Sequence, residues 1–339
     1  MKKDCTVVSV SPPSPVHLVP PLVIGVDVAK AELVIASAGQ TQTVTNTQAA
    51  LRTWLRPLVR GCSIGMESTN CYHQLLADLA HADGHTVYII NPKQIKHYRN
   101  ALSKRAKTDL CDAVLIARFL EQEHSQLHPY KPVSPQVRNL NGLVHRRATV
   151  VKSQTQMRLS LEQQGQQLGI KQPVKATLRQ FTLLLEAIDN QIEELIQHPE
   201  LQKKASRLRS IVGLGPLTTA ALLATLEHGD FKSADALVAF VGLDPKANDS
   251  GQRNGRRRLS KQGDGELRRL LYNAARSACK SEAWKPFYKR YRERGLTGTQ
   301  ALCILARKIL RVAWSLHKHQ TYFSREKNLE LCMKSPISC

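Results

Sequence analysis

The chain has 339 residues, of which 49 are Lys or Arg and 27 are Asp or Glu, giving a formal charge of +22. A hydrophobic content of 42% is enough for sizeable cores and excludes wholesale disorder, and the length suits about two domains. A soluble chain this basic repels itself unless it meets a polyanion, and nucleic acid is the commonest one.

Residues 1–20 read as a disordered extension. Lys2 and Lys3 precede a mix of Ser, Pro and Val, and Pro12, Pro13, Pro15 and Pro20 break any apolar signal segment. No apolar run approaches the roughly 18 residues of a transmembrane helix, so no membrane partner is expected. The eight cysteines are scattered without a CxxC pair. That argues against a zinc site or a disulfide framework and fits a reducing cytoplasm, with the charge placing the protein at the nucleoid. His81/His85 and His317/His319 lack companions at ligand spacing and read as solvated histidines.

Residues 21–125 alternate strand and helix signals. Pro21–Val28 (PLVIGVDV), Glu32–Ser37 (ELVIAS) and Gln42–Asn46 read as strands, with Gly39 and Gln40 as the turn between the last two. Thr47 is a candidate N-cap for a helix through Leu51 and Leu55. Cys62–Glu67 is a fourth strand, Asn70–His81 a helix, and Thr86–Ile90 a fifth strand stopped by Asn91-Pro92. Asp109–Glu123 is a helix with Leu110, Val114, Ala117 and Leu120 along one side. The order describes an α/β domain with a mixed sheet.

Residues 126–208 form a helical linker. Leu178, Phe181, Leu185, Ile188, Ile192 and Leu195 are spaced as a heptad seam, and Leu143, Val150, Met157, Leu161 and Leu168 give a weaker one upstream. Gly169 and Pro173 separate the two, so a long helical hairpin is expected. The spacing serves a bundle within one subunit and an oligomerising coiled coil equally. Residues 209–320 read as an all-α basic domain, and 321–339 as a loose tail. From Arg253 to Lys318 there are 18 Lys and Arg against 4 Asp and Glu, a net +14, so most of the excess charge sits here.

Four acids stand out. Asp27 ends the first strand, Glu67 ends the fourth, and Asp109 and Asp112, three apart, share one helix face. Acids beside an apolar sheet are costly unless paired or metal-bound. Converging carboxylates repel, and Mg²⁺ relieves this because it takes hard oxygen ligands. Two such ions about 3.5–4 Å apart activate a nucleophile and stabilise a leaving oxygen at a phosphate. Alternatively each acid is an ordinary cap or surface residue. For Asp109 alone that reading suffices, since an acid in a first helical turn favours the dipole. Asp27 resists it, because it interrupts the buried-looking VIGVDVAK.

Arg209–Leu226 (RSIVGLGPLTTAALLATL) carries Gly213-Leu214-Gly215-Pro216 between two helices. Pro216 suits a first helical position, and Gly213 and Gly215 permit close backbone approach. This is a helix-hairpin-helix pattern, which grips a DNA phosphate without reading sequence; a plain tight turn between core helices is the alternative. Downstream, Ser250-Gly251 sits in a loop followed by Arg253, Arg256, Arg257, Arg258, Ser260, Lys261, Gly263 and then Leu267-Arg268. The cations can hold phosphates around the serine and stabilise an oxyanion. A serine hydroxyl needs metal or a base to attack; otherwise Ser250 is a turn residue in a DNA-binding loop.

Together these motifs resemble one family, the DEDD transposases of bacterial insertion sequences, whose N-terminal domain is similar to the RuvC Holliday-junction resolvase. The resemblance runs from residue 21 to about 318. It rests on Gly25-Val26-Asp27, Met66-Glu67-Ser68-Thr69, Asn91-Pro92, Lys107–Ala113, Val212–Pro216, Phe240–Pro245, Ser250-Gly251, Ser260-Lys261-Gly263 and Leu267-Arg268. It implies a ribonuclease H-like (RuvC-like) fold and Mg²⁺ at Asp27, Glu67, Asp109 and Asp112. It also implies Ser250 as the nucleophile of a covalent phosphoserine intermediate, and an element-encoded structured non-coding RNA that bridges donor and target DNA. Strand exchange between two duplexes leads us to expect a homodimer or homotetramer. Asn70 departs from the family's usual Gly at that position. Two other readings stay open: a junction-resolving nuclease using metal-bound water with Ser250 idle, and a non-catalytic nucleic-acid-binding derivative. The presence of all four acids disfavours the derivative.

Overall fold

The computed structural model describes residues 22–68, 71–102, 109–162, 169–246 and 258–326. Internal contacts divide the chain into two compact units, Met1–Pro132 and Val133–Cys339.

The first unit opens on three strands, β1 (Val23–Val28), β2 (Glu32–Ser37) and β3 (Gln40–Thr45). The β2–β3 turn falls on Ala38 and Gly39, at φ 48° and 80°. Two successive left-handed residues make the tight hairpin reversal whose twist matches its strands. The turn therefore comes one residue earlier than expected, and β3 starts at Gln40. Helix α1 (Gln48–Leu55) follows, with the Thr47 hydroxyl accepting from the Ala50 amide as its N-cap. Then come β4 (Ser63–Glu67), α2 (Gln74–Ala82), β5 (Thr86–Ile90), α3 (Pro92–Ala101) and α4 (Asp109–Glu123). Asn91 caps α3 through a capping box with Gln94, and Pro92 opens the helix.

The strands form one five-stranded mixed sheet in the order β3-β2-β1-β4-β5. β1 is antiparallel to β2 and parallel to β4, which is parallel to β5. Strand alternation gives the sheet two different faces. Ile24, Val26, Ile64 and Met66 share a core with Leu51, Leu55 and Leu76. On the other face Gly25 and Gly65, register partners across β1 and β4, lie under α4. A Cβ on Gly25 would stand 2.2 Å from the Ala113 carbonyl oxygen, and one on Gly65 would stand 3.1 Å from Leu120. The paired glycines let the helix lie directly on the sheet.

The second unit is mostly helical. α5 (Pro135–Glu162) and α6 (Lys171–Ile196) form the expected hairpin, held by a two-pronged Arg147–Asp189 ion pair and by Gln154 donating to Leu178 and Thr182. The seam residues Leu178, Phe181, Leu185 and Ile188 are half-buried, while Ile192 and Ile196 are buried. α7 (Pro199–Arg209), α8 (Pro216–His228), α9 (Ala234–Val241), α10 (Gly265–Ala278), α11 (Lys285–Glu293) and α12 (Gly298–His319) complete it. One cluster of buried residues runs from Val137 to Leu316 and ties the hairpin base to these helices. Fully buried Trp284 belongs to it and donates from its ring to the Val212 carbonyl at 3.0 Å.

One part of this section is not helical. A two-stranded ribbon, β6 (Pro245–Lys246) and β7 (Arg258–Leu259), interrupts what the sequence reads as an all-α domain. Gly242, at φ 74°, ends α9 in the left-handed conformation, and Asp244 and Ser260 then join the two stems before a helix restarts.

Candidate active site

Asp27 and Glu67 lie at the carboxyl ends of adjacent parallel strands. Gly25 pairs with Gly65 and Val26 with Met66, so Asp27 and Glu67 occupy the next register position. Period-two alternation puts them on the face of Gly25 and Gly65, the face α4 covers. Ala113, in the first turns of α4, clusters with Val34 and Ala36, the β2 partners of Asp27 and Gly25. That contact brings the N-terminal turn of α4 to the Asp27 end of the sheet.

Asp112 sits in that turn and is 7% exposed. Arg99 of α3 donates to its carboxylate. A buried carboxylate needs such a partner. Arg99 had no signal in the sequence, since one arginine in a basic helix resembles any other. The Asp109 side chain lies outside the described residues. Among the described residues, no three His, Cys, Asp or Glu side chains stand close enough to share a metal ion. The sheet thus places Asp27 beside Glu67, while Asp112 is held by Arg99.

Ser250, Arg253, Arg256 and Arg257 lie outside the described residues; the two stems of their loop are described. The Asp244 carbonyl accepts from the Ser260 amide at 3.0 Å, and the Asp244 carboxylate accepts from the Ser260 hydroxyl. The Lys261 amide donates to Gly242 at 3.1 Å, with Lys261 itself in the left-handed region at φ 53°. A Cβ on Gly263 would lie 1.9 Å from the Phe240 carbonyl oxygen, so only glycine fits there. Arg268 reaches across, its guanidinium donating to the carbonyls of Val241 at 2.8 Å and Gly263 at 2.7 Å. Arg268 therefore ties backbone to backbone. Arg258 is exposed at the ribbon, opposite Lys246.

The two glycines of the α7–α8 turn have different surroundings. Gly213, at φ 102°, packs onto α10: a Cβ there would be 2.6 Å from the Ala278 Cβ. Gly215 precedes Pro216 at the start of α8 and has nothing within 4 Å of its would-be Cβ. Gly213 serves internal packing, and Gly215 leaves the helix start open.

A carboxylate pair at the carboxyl ends of two inner strands of a mixed sheet, joined in sequence to a strongly basic helical unit, is the chemistry of a protein suited to a polyanion. Comparison with known proteins narrows the class. Residues 24–170 match the DEDD family of IS110 type described as Transposase, and residues 205–291 match the Transposase IS116/IS110/IS902 family. Pilin gene-inverting proteins of Moraxella lacunata and Moraxella bovis are 29% identical over 321 residues, covering 89% of this chain and 97% of theirs. A probable family 20 transposase of Pseudomonas aeruginosa is 24% identical over 338 residues, covering 88% and 98%. The transposase of element IS1111A from Coxiella burnetii is 26% identical, covering 88% and 91%.

The chain belongs to the IS110-type DEDD transposases of insertion sequences, DNA-recombining enzymes that act on DNA. Among the described residues no helix is long and apolar enough to cross a membrane.

Proposed function

We propose that the protein cuts and rejoins DNA strands of an insertion sequence through a covalent phosphoserine formed by Ser250. The observation that carries this reading is the placement of Asp27 beside Glu67 at the carboxyl ends of two parallel strands, under the first turn of α4. The sheet order and this acidic edge fit a ribonuclease H-like domain. The pair fits Mg²⁺ in donor chemistry, because both supply hard carboxylate oxygens from neighbouring backbone positions. Asp27 and Glu67 would hold the ion; Asp109 and Asp112 are the further candidates on α4, with Asp112 bonded to Arg99 here and not within metal-sharing reach of the pair. Such an ion, when bound, lowers the cost of charge developing on phosphate oxygens.

The chain's own residues do the remaining work. The Ser250 hydroxyl attacks a phosphorus atom and displaces the 3′ or 5′ oxygen of the strand, which leaves as a hydroxyl after taking a proton. The phosphodiester bond energy is kept in the protein–DNA ester, and a second strand's hydroxyl reverses the step at a new junction. Arg253, Arg256, Arg257, Arg258 and Lys261 hold the backbone phosphates, and the open α8 start at Gly215 adds a further phosphate contact, with Gly213 seating the turn on α10. Arg268 supports the loop through Nη1 and belongs with the same phosphate-binding set. The protein acts as a homodimer or homotetramer, and an element-encoded structured RNA selects the sites. A relative named for inverting a pilin gene supports recombination over simple hydrolysis, since inversion requires rejoining.

The test is to incubate the protein with its element DNA and Mg²⁺, denature it, and resolve protein–DNA adducts on a gel. Wild type forms the adduct, Ser250→Ala binds DNA without forming it, and Asp27→Ala or EDTA abolishes it. Normal strand exchange by Ser250→Ala overturns the serine mechanism and leaves metal-activated water as the nucleophile.

A further inference from the structure

Between α10, α12 and the root of the ribbon lies a cleft of about 230 Å³. Its walls are Leu243, Leu259, Tyr272, Cys303 and Ala306, with Lys261 beside them. Arg268 and Arg269 also border it; Arg268 spends Nη1 on the Val241 and Gly263 carbonyls, and Arg269 pairs with Glu266. The cleft is thus an apolar slot bordered by two cations, Lys261 and Arg268, for which no ion pair stands among the described residues.

Its size is informative. At about 230 Å³ it falls below the roughly 300–1,000 Å³ of pockets that enclose drug-sized ligands, and it suits a single ring system. Its surroundings narrow the occupant further. It lies in the stretch with the net charge of +14, and Leu243, Leu259 and Lys261 are the stem residues of the 247–257 loop. An apolar slot, a tyrosine wall and a neighbouring ammonium match a nucleotide taken out of its stack, with the base inside and the phosphate on the cation.

We propose that this cleft seats one unstacked nucleobase of the nucleic acid the protein handles, against Tyr272, with Lys261 on the adjoining phosphate. The proposal rests on the reading of this unit as a nucleic-acid handler, and it is independent of Ser250 chemistry.

The test measures affinity of the full-length protein for short single-stranded DNA, single-stranded RNA and a DNA-length oligomer of abasic sugar-phosphates. Cys303→Phe fills the slot, and Tyr272→Ala removes its wall. Each lowers affinity for base-bearing strands by about 10-fold and leaves binding to the abasic oligomer unchanged. Lys261→Ala weakens binding to all three. The DNA and RNA arms show which strand supplies the base.

A second readout uses wild type alone. Alkylation of Cys303, mapped by mass spectrometry, slows when base-bearing strands saturate the protein and does not slow with the abasic oligomer. Equal affinity of wild type and folded Cys303→Phe for both base-bearing strands overturns the proposal, as does unchanged Cys303 alkylation. Ser250→Ala retains the Cys303 footprint, so loss of the serine mechanism and loss of this site are separable outcomes.

Discussion

The Ser260 hydroxyl donates to the carboxylate of Asp244, and the Ser260 amide donates to the carbonyl of the same residue at 3.0 Å. Two bonds between one residue before the 247–257 loop and one after it fix the separation of the stems. Arg268 adds a third tie by joining the carbonyls of Val241 and Gly263. In the proposed reaction this clamp sets where Ser250 is presented, because a loop is placed only as well as its ends.

Arg268→Ala leaves two part-buried carbonyls without their donor and costs about 1–3 kcal/mol in urea unfolding. Both carbonyls accept from one nitrogen, Nη1, so Arg268→Lys, whose ammonium carries three donors, recovers part of the loss. Ser260→Ala costs less, about 1 kcal/mol, because only the side-chain bond is lost. Stability of Arg268→Ala equal to wild type contradicts the clamp.

Gly25→Ala and Gly215→Ala are a matched pair. The Gly25 methyl would overlap the Ala113 carbonyl at 2.2 Å and the Ala117 amide at 2.3 Å, and rigid backbone must move to admit it. We expect a loss of about 3 kcal/mol and weaker packing of α4. At Gly215 the methyl meets nothing within 4 Å, and φ is −87°, so stability changes by under about 0.5 kcal/mol. Thermal unfolding of the two variants side by side decides the matter.

Much of the first unit was legible in the sequence because its elements are short and cleanly bounded. β2, β5 and α4 match their predicted spans, and the Thr47 and Asn91 caps act as their residue types require. Asp27 and Glu67 were visible as acids ending apolar strands, but their adjacency was not, since strand order is a tertiary property. Gly25 and Gly65, two residues before each acid, were the available sign that a helix crosses at that point. Arg99 and Asp244 were invisible: each takes its role from a partner 13 or 16 residues away. The ribbon was missed because strands of two residues carry no periodicity.

The sequence reads His85 and His317 as solvated; burial instead makes both hard to protonate. His85 is 5% exposed and held below the usual imidazole value of 6.5 by desolvation, with Asp83 opposing. His317 is likewise lowered by burial, against the pull of Glu227 at 3.6 Å. Below pH 6.5 the unfolded chain binds protons that these folded imidazoles resist, so stability falls as pH drops through that value and is fully present above it. Thermal unfolding between pH 8 and about 5.5 measures the slope. His85→Phe lessens it, leaving the share of His317 and of His228, which burial also lowers, and an unchanged slope in that variant assigns the acid sensitivity to other groups.

Arg99 and Asp112 together test charge burial and metal binding. Their ion pair is largely buried, with side chains 17% and 10% exposed. Removing one member of such a pair strands the other charge and costs about 3–5 kcal/mol, whereas replacing both with apolar residues costs far less. Arg99→Leu is therefore strongly destabilised in EDTA, and Arg99→Leu/Asp112→Leu recovers most of the loss. If Asp112 also belongs to the proposed Mg²⁺ set, the ion substitutes for the missing guanidinium. Millimolar Mg²⁺ then raises the melting temperature of Arg99→Leu more than that of wild type, and leaves the double variant unmoved. The comparison needs no catalytic assay. An Arg99→Leu protein whose melting temperature ignores Mg²⁺ places Asp112 outside the metal set and makes its bond to Arg99 purely structural.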